Sequence, residues 1–299
     1  MEKAKRTPIH DYQLIDCGDF EKLERFGPYY LIRPESQAIW KRKLNTDQWH
    51  KLAHARFKRE QQKVSYRSGD LVNGGWSLFK KMPESWTIKC PLPKGSFTLK
   101  LSLTSFGHVG IFPEQIDNWS FIYNAVRESR VTTPRVLNAF AYTGGASLAA
   151  RSAGAEVTHL DAVKQVVHWA KENMELSNLT NIRWIVDDAL KFLKREYKRG
   201  KTYHGLMLDP PAYGRGPGGE RWILDESINE VLDACTKLLE PKGNFFVLNL
   251  YSLGYSPLIS KNLVESHFGS KGLTYGESSI RSETGIELPL GTYVRFRND

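Results

Sequence analysis

The sequence has few cysteines, and they lie far apart. Among its 299 residues there are three, Cys17, Cys90 and Cys235, and no CxxC pair. At this spacing the sequence shows no pattern typical of a disulfide-bonded protein, and no two cysteines are paired in the way that a metal site requires. The eight histidines show no metal-ligand spacing either. We therefore expect no metal site and a reduced, intracellular setting, the cytoplasm.

Long hydrophobic runs are also absent. No apolar stretch reaches the roughly 18 residues that indicate a membrane-spanning helix. The basic segment at residues 1–8 is not followed by the apolar stretch of a secretory signal. We therefore expect neither a membrane span nor a signal peptide. Hydrophobic residues make up 40% of the chain and charged residues 25%, which is typical of a folded globular protein.

Acidic residues are outnumbered. The chain has 42 Lys and Arg against 33 Asp and Glu, for a formal net charge of +9. This excess suits a polyanionic partner such as nucleic acid, although a need for solubility explains it equally well. The length accommodates two domains. Nothing in the sequence fixes the oligomeric state, which leaves a homodimer open.

Residues 1–105 are expected to form a small, mainly β, basic domain. Glycine and proline separate short aromatic segments at residues 74–79, 86–88 and 97–101, a pattern typical of strands joined by turns. Residues 41–63 are rich in Lys and Arg and predict one basic helix. Basic residues lie among aromatic ones, as in many nucleic-acid-binding surfaces. A β core with a solvated charged helix explains the same pattern, and we favour it for the aromatics.

Residues 106–299 are expected to form an α/β domain that includes a linker helix near its start. Pro113 suits the first turn of a helix that would run to about residue 130. Short apolar segments then alternate with amphipathic ones, which predicts a Rossmann-like, doubly wound and mostly parallel sheet. The expected strands cover residues 136–140, 156–160, 182–186, 205–208 and 244–250. Residues 273–280 and 291–297 would close the sheet as an antiparallel hairpin.

Glycines and carboxylates follow four successive strands. The first strand leads into residues 138–147, which read NAFAYTGGAS; the next two end in Asp161 and Asp188; the fourth leads into residues 209–213, which read DPPAY. In such a sheet the ligand lies beyond the carboxyl ends of the strands. Each feature alone is more often a turn or a helix N-cap. Four of them in order favour a site for a nucleoside cofactor.

The sequence lacks the two glycine-rich motifs that bind the phosphates of nucleotides. Residues 142–147 lack the GxGxxG spacing of a dinucleotide site, and the chain has no GK[ST] of a P-loop. A cofactor that contains adenosine and no phosphate fits better, which indicates S-adenosylmethionine. A nicotinamide-dependent oxidoreductase is a distant alternative.

Five segments of the chain resemble a known family. They read GIFPEQ, VLNAFAYTGG, LD, DDA and LDPPAYGRG, at residues 110–115, 136–145, 160–161, 187–189 and 208–216. Together they resemble the class I S-adenosylmethionine-dependent methyltransferases, specifically the group that includes bacterial large-subunit ribosomal RNA (cytosine-C5)-methyltransferases and their relatives. The resemblance extends from about residue 106 to the end of the chain.

The resemblance implies a set of cofactor contacts. Asn138 and the turn after it would hold the methionine part, Asp161 the ribose and Asp188 the adenine. Phe112 and Gln115 would close over the cofactor. The whole implied set is Phe112, Gln115, Asn138, Phe140, Tyr142, Thr143, Gly144, Ser147, Asp161, Ala162, Asp188, Ala189 and Asp209.

The fourth strand leads into a segment suited to a planar amine. It resembles the D/N-P-P-aromatic motif of methyltransferases that act on such amines. A carboxylate and a proline-held carbonyl can accept hydrogen bonds from an exocyclic amino group, and an aromatic face can stack on a base, which is worth about 1–3 kcal/mol. The candidate catalytic residues are Asp209, Pro210, Pro211 and Tyr213. A base within a duplex would first have to be flipped out.

Residues 214–219 form a glycine-rich, basic loop beside this segment. We expect it to act as a lid that contacts phosphate or substrate through Arg215 and Arg221, with Trp222 as a further candidate. Tyr213 completes the expected substrate contacts. An ordinary surface loop is the alternative interpretation.

The cysteine positions bear on the atom that is methylated. Carbon C5 of cytosine is a poor nucleophile, so enzymes that methylate it add a cysteine thiolate to the ring. The fifth strand ends at Asn249 without a cysteine, and Cys235 lies on the preceding predicted helix. The sequence therefore predicts that the protein methylates a base of RNA, with ribosomal RNA as the favoured substrate. The predicted acceptor atom is a nitrogen rather than carbon C5. The alternatives are a small-molecule or protein methyltransferase and a non-catalytic RNA-binding module.

Overall fold

The computed structural model of the chain describes residues 8–59, 74–251 and 254–298. The chain divides into two compact units that alternate along the sequence. Unit 1 comprises Met1–Pro91, Thr98–Ile116 and Ser279–Leu290, and unit 2 comprises Leu92–Phe97, Asp117–Ser278 and Gly291–Asp299. The boundary between residues 105 and 106 stays a prediction. Within the described ranges, no helix combines the length and hydrophobicity needed to cross a membrane.

The described residues contain sixteen strands and seven α-helices. The strands are β1 Tyr12–Gly18, β2 Glu21–Phe26, β3 Tyr29–Pro34, β4 Ala55–Arg59, β5 Gly74–Leu78, β6 Ser85–Pro91, β7 Ser96–Ser102, β8 Arg135–Ala139, β9 Glu156–Asp161, β10 Ile182–Val186, β11 Gly205–Leu208, β12 Tyr213–Arg215, β13 Arg221–Ile223, β14 Asn244–Leu250, β15 Thr274–Arg281 and β16 Glu287–Asn298. The helices are α1 Thr46–Leu52, α2 Ile116–Arg127, α3 Gly145–Ser152, α4 Lys164–Leu176, α5 Ala189–Lys198, α6 Leu224–Leu238 and α7 Pro257–Phe268, with a 3₁₀ turn at Pro113–Gln115.

Unit 1 is built on a five-stranded sheet in the order β1-β2-β3-β4-β5, and β6 pairs with β7 separately. The basic segment that we expected to be helical extends to residue 63, and residues 60–63 lie outside the described residues. Its described part contains the short α1, and β4 follows that helix. In β4 the side chains of Ala55 and Phe57 are buried, whereas Lys58 and Arg59 are exposed. Apolar residues two apart suit a strand that buries one face, which explains why the helix ends early.

One buried carboxylate joins distant segments of unit 1. Asp16 Oδ2 accepts hydrogen bonds from the backbone N–H of Leu44 at 2.8 Å and from Nε1 of Trp49 at 3.0 Å. Asp16 Oδ1 accepts from the hydroxyl of Thr284 at 2.9 Å. Asp16 and Trp49 are both fully buried. Because a buried charge needs hydrogen bonds to replace its hydration, these contacts hold the strand, the helix and the later segment in one arrangement.

Unit 2 contains a seven-stranded sheet in the order β10-β9-β8-β11-β14-β16-β15. The first five of these strands are parallel, and β16 runs antiparallel to β14. The sheet core is strongly apolar, and all seven residues of β14 are buried. The expected mostly parallel, doubly wound sheet and the β-rich N-terminal part are confirmed.

Two helices differ from the sequence expectation. α2 ends at Arg127, slightly before residue 130. α7 was not expected, because its residues show no strong amphipathic pattern. Its N-terminus is nevertheless well specified: Ser256 accepts a hydrogen bond from the N–H of Ile259, and Pro257 occupies the first turn.

We predict that Asp16→Ala lowers the free energy of unfolding by more than about 2 kcal/mol, because it leaves several buried donors without their acceptor. Asp47→Ala is the matched control. Asp47 is exposed in the first turn of α1, so its loss should cost less than about 1 kcal/mol. Urea titrations followed by tryptophan fluorescence measure both, and equal losses would contradict the role of Asp16.

Candidate active site

The carboxyl ends of five parallel strands lie at one edge of the unit 2 sheet. In the strand register Ala139 pairs with both Leu160 and Leu208, and Asp161 pairs with Val186. The segments that leave β8, β9, β10, β11 and β14 therefore begin next to one another. Because ligands of such sheets bind beyond these ends, this edge is the candidate site.

The turn after β8 has an unusual backbone. Phe140 and Tyr142 have φ angles of 56° and 47°, the left-handed region that side chains other than glycine rarely adopt. Asp161 stabilises the turn, because its Oδ2 accepts the backbone N–H of Tyr142 at 2.9 Å. Its Oδ1 accepts the N–H of Val163 at 3.0 Å. Burial raises the pKa of Asp161, and these backbone hydrogen bonds partly oppose the increase.

Three buried polar side chains next to the same turn form a chain of hydrogen bonds. Asn138 Nδ2 donates to Ser147 Oγ at 2.9 Å, and that oxygen lies 3.0 Å from His159 Nδ1. All three residues are buried. Burial lowers the pKa of His159 to about 3, so the ring is neutral at physiological pH. The side chains of Asn138 and Ser147 thus form hydrogen bonds inside the fold. Their contact with a cofactor stays a prediction.

The next two residues of the turn lead into α3. Thr143 is buried, and its carbonyl accepts a hydrogen bond from Asn173 Nδ2 at 2.9 Å. Gly144 has a φ of 92°, and a Cβ there would lie 3.2 Å from the Cβ of Ala170. Glycine is therefore required at this position for both conformation and space. The N-terminus of α3, with its partial positive charge, begins directly after it.

Asp188 lies after β10 and caps α5. Its Oδ1 accepts the backbone N–H of Lys191 at 2.9 Å. The neighbouring Asp187 forms an ion pair with Arg195. Ala189 is buried as the first residue of α5, and Ala162 is half-buried after β9. One oxygen of Asp188 is therefore committed to the cap, and a contact of the carboxylate with adenine stays a prediction.

Two of the implied cofactor residues belong to unit 1. Phe112 precedes the 3₁₀ turn, and its ring centroid lies 5.3 Å from that of His108. Gln115 ends the same turn and is buried. Their role at the cofactor stays a prediction.

Asp209 follows β11 and is held from the neighbouring strand. Asn249, near the end of β14, donates its Nδ2 to Asp209 Oδ1 at 2.7 Å. Burial of the carboxyl group raises the pKa of Asp209 to about 6, and the Asn249 hydrogen bond acts in the opposite direction. Asn249 Oδ1 is buried and has no hydrogen-bond partner among the described residues. Apart from a polar residue in a mainly apolar strand, nothing in the sequence indicated this pairing.

The segment after Asp209 is anchored by a tryptophan. Pro210 is buried and Pro211 is exposed. Trp222 Nε1 donates to the carbonyl of Pro211 at 2.6 Å, and the Trp222 ring centroid lies 4.7 Å from that of Phe140. Trp222 is only 7% exposed. Trp222 therefore acts as an internal anchor, and its expected contact with the substrate as part of a lid is wrong, because its side chain is buried.

The expected substrate residues lie on a hairpin rather than on an irregular loop. β12 and β13 pair antiparallel, with Tyr213 opposite Ile223 and Arg215 opposite Arg221. Tyr213, Arg215 and Arg221 are all exposed. Their contact with a substrate stays a prediction.

All three cysteines are buried. Cys235 lies on α6 within the hydrophobic core of unit 2, and Cys17 and Cys90 belong to unit 1. Burial raises the pKa of Cys17 to about 11 and raises those of Cys90 and Cys235 still further. A raised pKa disfavours the thiolate form, which is the nucleophilic form of cysteine. In the part of the chain that the structure describes, no three His, Cys, Asp or Glu are grouped to hold a metal ion.

Comparison with known proteins agrees with this architecture. Residues 119–242 match the protein family described as "Conserved hypothetical protein 95". The crystal structure of the S-adenosylmethionine-dependent methyltransferase from Agrobacterium tumefaciens superimposes on this chain with a TM-score of 0.86, and the two sequences are 37% identical. The match covers 98% of this chain and 92% of that one.

Curated relatives include two ribosomal RNA large subunit methyltransferases. The K/L enzyme of Shewanella frigidimarina is 30% identical over 82% of this chain and 35% of its own length. The ribosomal RNA large subunit methyltransferase I of Aeromonas salmonicida is 29% identical over 62% of this chain and 46% of its own length. The chain thus spans between about a third and a half of these relatives. With its parallel sheet and the similarity to the Agrobacterium structure over nearly the whole length, the chain belongs to the class I S-adenosylmethionine-dependent methyltransferases.

Proposed function

We propose that the protein transfers the methyl group of S-adenosylmethionine to a base of RNA, with large-subunit ribosomal RNA as the first substrate to test. The observation that carries this proposal is the Asp209 carboxylate, which accepts a hydrogen bond from Asn249 and opens the D-P-P-A-Y segment at the same sheet edge as Asp161. The names of the curated relatives support ribosomal RNA, and the net charge of +9 suits a polyanion. Action in the cytoplasm is part of the proposal.

The residues at the sheet edge fit the cofactor. The Asp161 carboxylate accepts two backbone hydrogen bonds and keeps further lone pairs that could accept from the two hydroxyls of a ribose. The left-handed turn at residues 140–144 brings backbone close to the strand ends, where the methionine part would lie. When bound, the cofactor supplies an electrophilic methyl group on a sulfonium ion. The chain's own residues hold and orient the acceptor.

We infer that the acceptor is an exocyclic amino nitrogen. Trp222 already occupies the carbonyl of Pro211, so an incoming amine would donate to the Asp209 carboxylate and to the carbonyl of Pro210. These hydrogen bonds would direct the nitrogen lone pair toward the methyl group. As the new N–C bond forms and the sulfur–carbon bond breaks, the nitrogen loses a proton, for which Asp209 is a suitable acceptor. The buried cysteines offer no thiolate for the C5 route.

Methylation of unmodified ribosomal RNA by the purified protein tests this function. An RNA transcript is incubated with labelled S-adenosylmethionine, digested to nucleosides and analysed by mass spectrometry, with Asp209→Asn as the inactive control. We expect an N-methylated nucleoside. Formation of 5-methylcytidine would contradict the nitrogen assignment. Absence of any transfer by a protein that still binds S-adenosylhomocysteine would contradict RNA as the substrate.

Asp161→Ala should lower the affinity for S-adenosylhomocysteine at least about tenfold, because hydrogen bonds to a charged group are worth roughly 1.5–3 kcal/mol. Asp161→Asn, which keeps one acceptor oxygen, should lie between this variant and the native protein. Calorimetric titration measures all three. If Asp161→Ala binds as tightly as the native protein, the ribose assignment is wrong.

The activity should also depend on the ionisation of Asp209. Since the carboxylate form accepts the hydrogen bonds of the amine, kcat/KM should rise with pH through the pKa of about 6. Asn249→Leu removes the hydrogen bond that favours the carboxylate, so the midpoint should move up by about one pH unit or more. Asp209→Asn should show low activity without this transition.

Asn244→Leu is the matched control, because it makes the same change at the opposite end of β14. It should leave the midpoint of the pH profile in place even if it lowers stability. A midpoint that moves equally in both leucine variants, or in neither, would contradict the role of Asn249.

A further inference from the structure

The β12–β13 hairpin has two different faces. Successive residues of a strand point to opposite sides, and Gly214 pairs with Trp222. On this inner face the Trp222 indole donates to Pro211 and its ring packs against Phe140. The inner face is therefore fixed to the strand-end segments of β8 and β11.

The outer face concentrates positive charge. Arg215 and Arg221 lie directly opposite each other in the antiparallel register, and both are exposed. Like charges at directly opposed positions destabilise a strand pair. Neither guanidinium has an ion pair with a carboxylate anywhere in the described ranges. The hairpin thus maintains an electrostatically unfavourable pair that a bound anion would relieve.

The one acidic residue of the hairpin does not neutralise this pair. The carboxylate of Glu220 accepts the backbone N–H of Gly218 at 2.8 Å and forms an ion pair with Lys191 on α5. A Cβ at Gly216 or at Gly218 would collide with the same carboxylate. The absence of side chains at Gly216 and Gly218 therefore leaves room for the Glu220 carboxylate, which pairs with Lys191. Glu220 thus does not neutralise the charge of Arg215 or Arg221.

An aromatic ring shares the outer face with the arginines. Tyr213 lies two residues before Arg215 on β12, hence on the same side, and is 37% exposed. Proteins that hold single-stranded nucleic acid combine cations for the phosphates with aromatic rings for the bases. Arginine is especially suited to phosphate, because its planar fork donates two parallel hydrogen bonds.

We propose that Arg215 and Arg221 form a clamp for one phosphodiester segment of the RNA strand next to the methylated base, with Tyr213 stacking on a flanking base. The clamp rests on the proposed function and adds to it a site for the backbone of a single-stranded substrate. Because the inner face is anchored at Pro211, the clamp sets the register of the strand relative to Asp209. Phosphate contacts carry no sequence information, so the clamp positions the RNA rather than selecting its sequence.

The test measures the salt dependence of RNA binding. A fluorescent single-stranded RNA is titrated with the native protein and with Arg215→Gln/Arg221→Gln, between about 50 and 200 mM salt. Each neutralised phosphate contributes about 0.7 to the slope of log K against log salt, so the double variant, which loses its one clamped phosphate, should lose about 0.7. Arg215→Lys/Arg221→Lys, which keeps both charges, should retain most of the slope.

The matched control is Arg127→Gln/Arg130→Gln, which removes two exposed arginines at and beyond the end of α2. It should leave the slope nearly unchanged. An equal loss in both glutamine variants would show that only overall charge matters and would overturn the clamp. Affinity for S-adenosylhomocysteine, measured on every variant, confirms that each is folded.

The remaining outcomes separate the clamp from the proposed function. If the native protein methylates RNA and the double glutamine variant keeps the native slope, the clamp is wrong and the function stands. If the native protein binds S-adenosylhomocysteine but no RNA, the RNA substrate and the clamp are both wrong. If an acidic peptide such as polyglutamate binds through the two arginines more tightly than RNA, the partner is a protein segment and the clamp is again overturned.

Discussion

The hydrogen bond from Asn249 to Asp209 joins the ends of two neighbouring strands at the candidate site, and the ionisation of Asp209 depends on it. Burial alone would drive Asp209 toward its neutral form, in which one oxygen becomes a donor. The amide of Asn249 opposes this and leaves a pKa of about 6. The amide of Asn249 thus favours the carboxylate form of Asp209, which accepts hydrogen bonds.

The left-handed turn after β8 connects the two halves of the site. Each non-glycine residue in this conformation costs on the order of 1–3 kcal/mol, so the surroundings must hold the turn in place. Tyr142 is held by Asp161 on one side, and Phe140 packs against Trp222 on the other. Through Trp222 the turn also contacts Pro211. One strained backbone element therefore contacts both the residue that ends β9 and the β12–β13 hairpin.

The sequence was most informative where burial follows hydrophobicity. The runs that became β8, β9, β10, β11 and β14 are apolar and alternate with amphipathic helices, so the sheet and the carboxylates at its edge were predictable. β2 was not, because Lys22 and Glu24 are buried in it as charged residues. Lys22 pairs with Glu35 at 3.1 Å and Glu24 with Arg33 at 2.8 Å, and such mutual neutralisation has no signature in hydropathy. His159 and Asn249 were missed, and Trp222 was given the wrong role, because their contacts depend on strand register, which brings together residues far apart in sequence.

The burial of every cysteine has a practical consequence for the study of this protein. Thiol reagents that act at the surface would find no natural target, since Cys17, Cys90 and Cys235 are enclosed and their thiols are held in the protonated form. A cysteine introduced on the exposed side of α2 or α5 would therefore be the single site for a fluorophore or a crosslinker. The native chain is in effect a cysteine-free background, and the path of a bound strand across its surface could be mapped one position at a time.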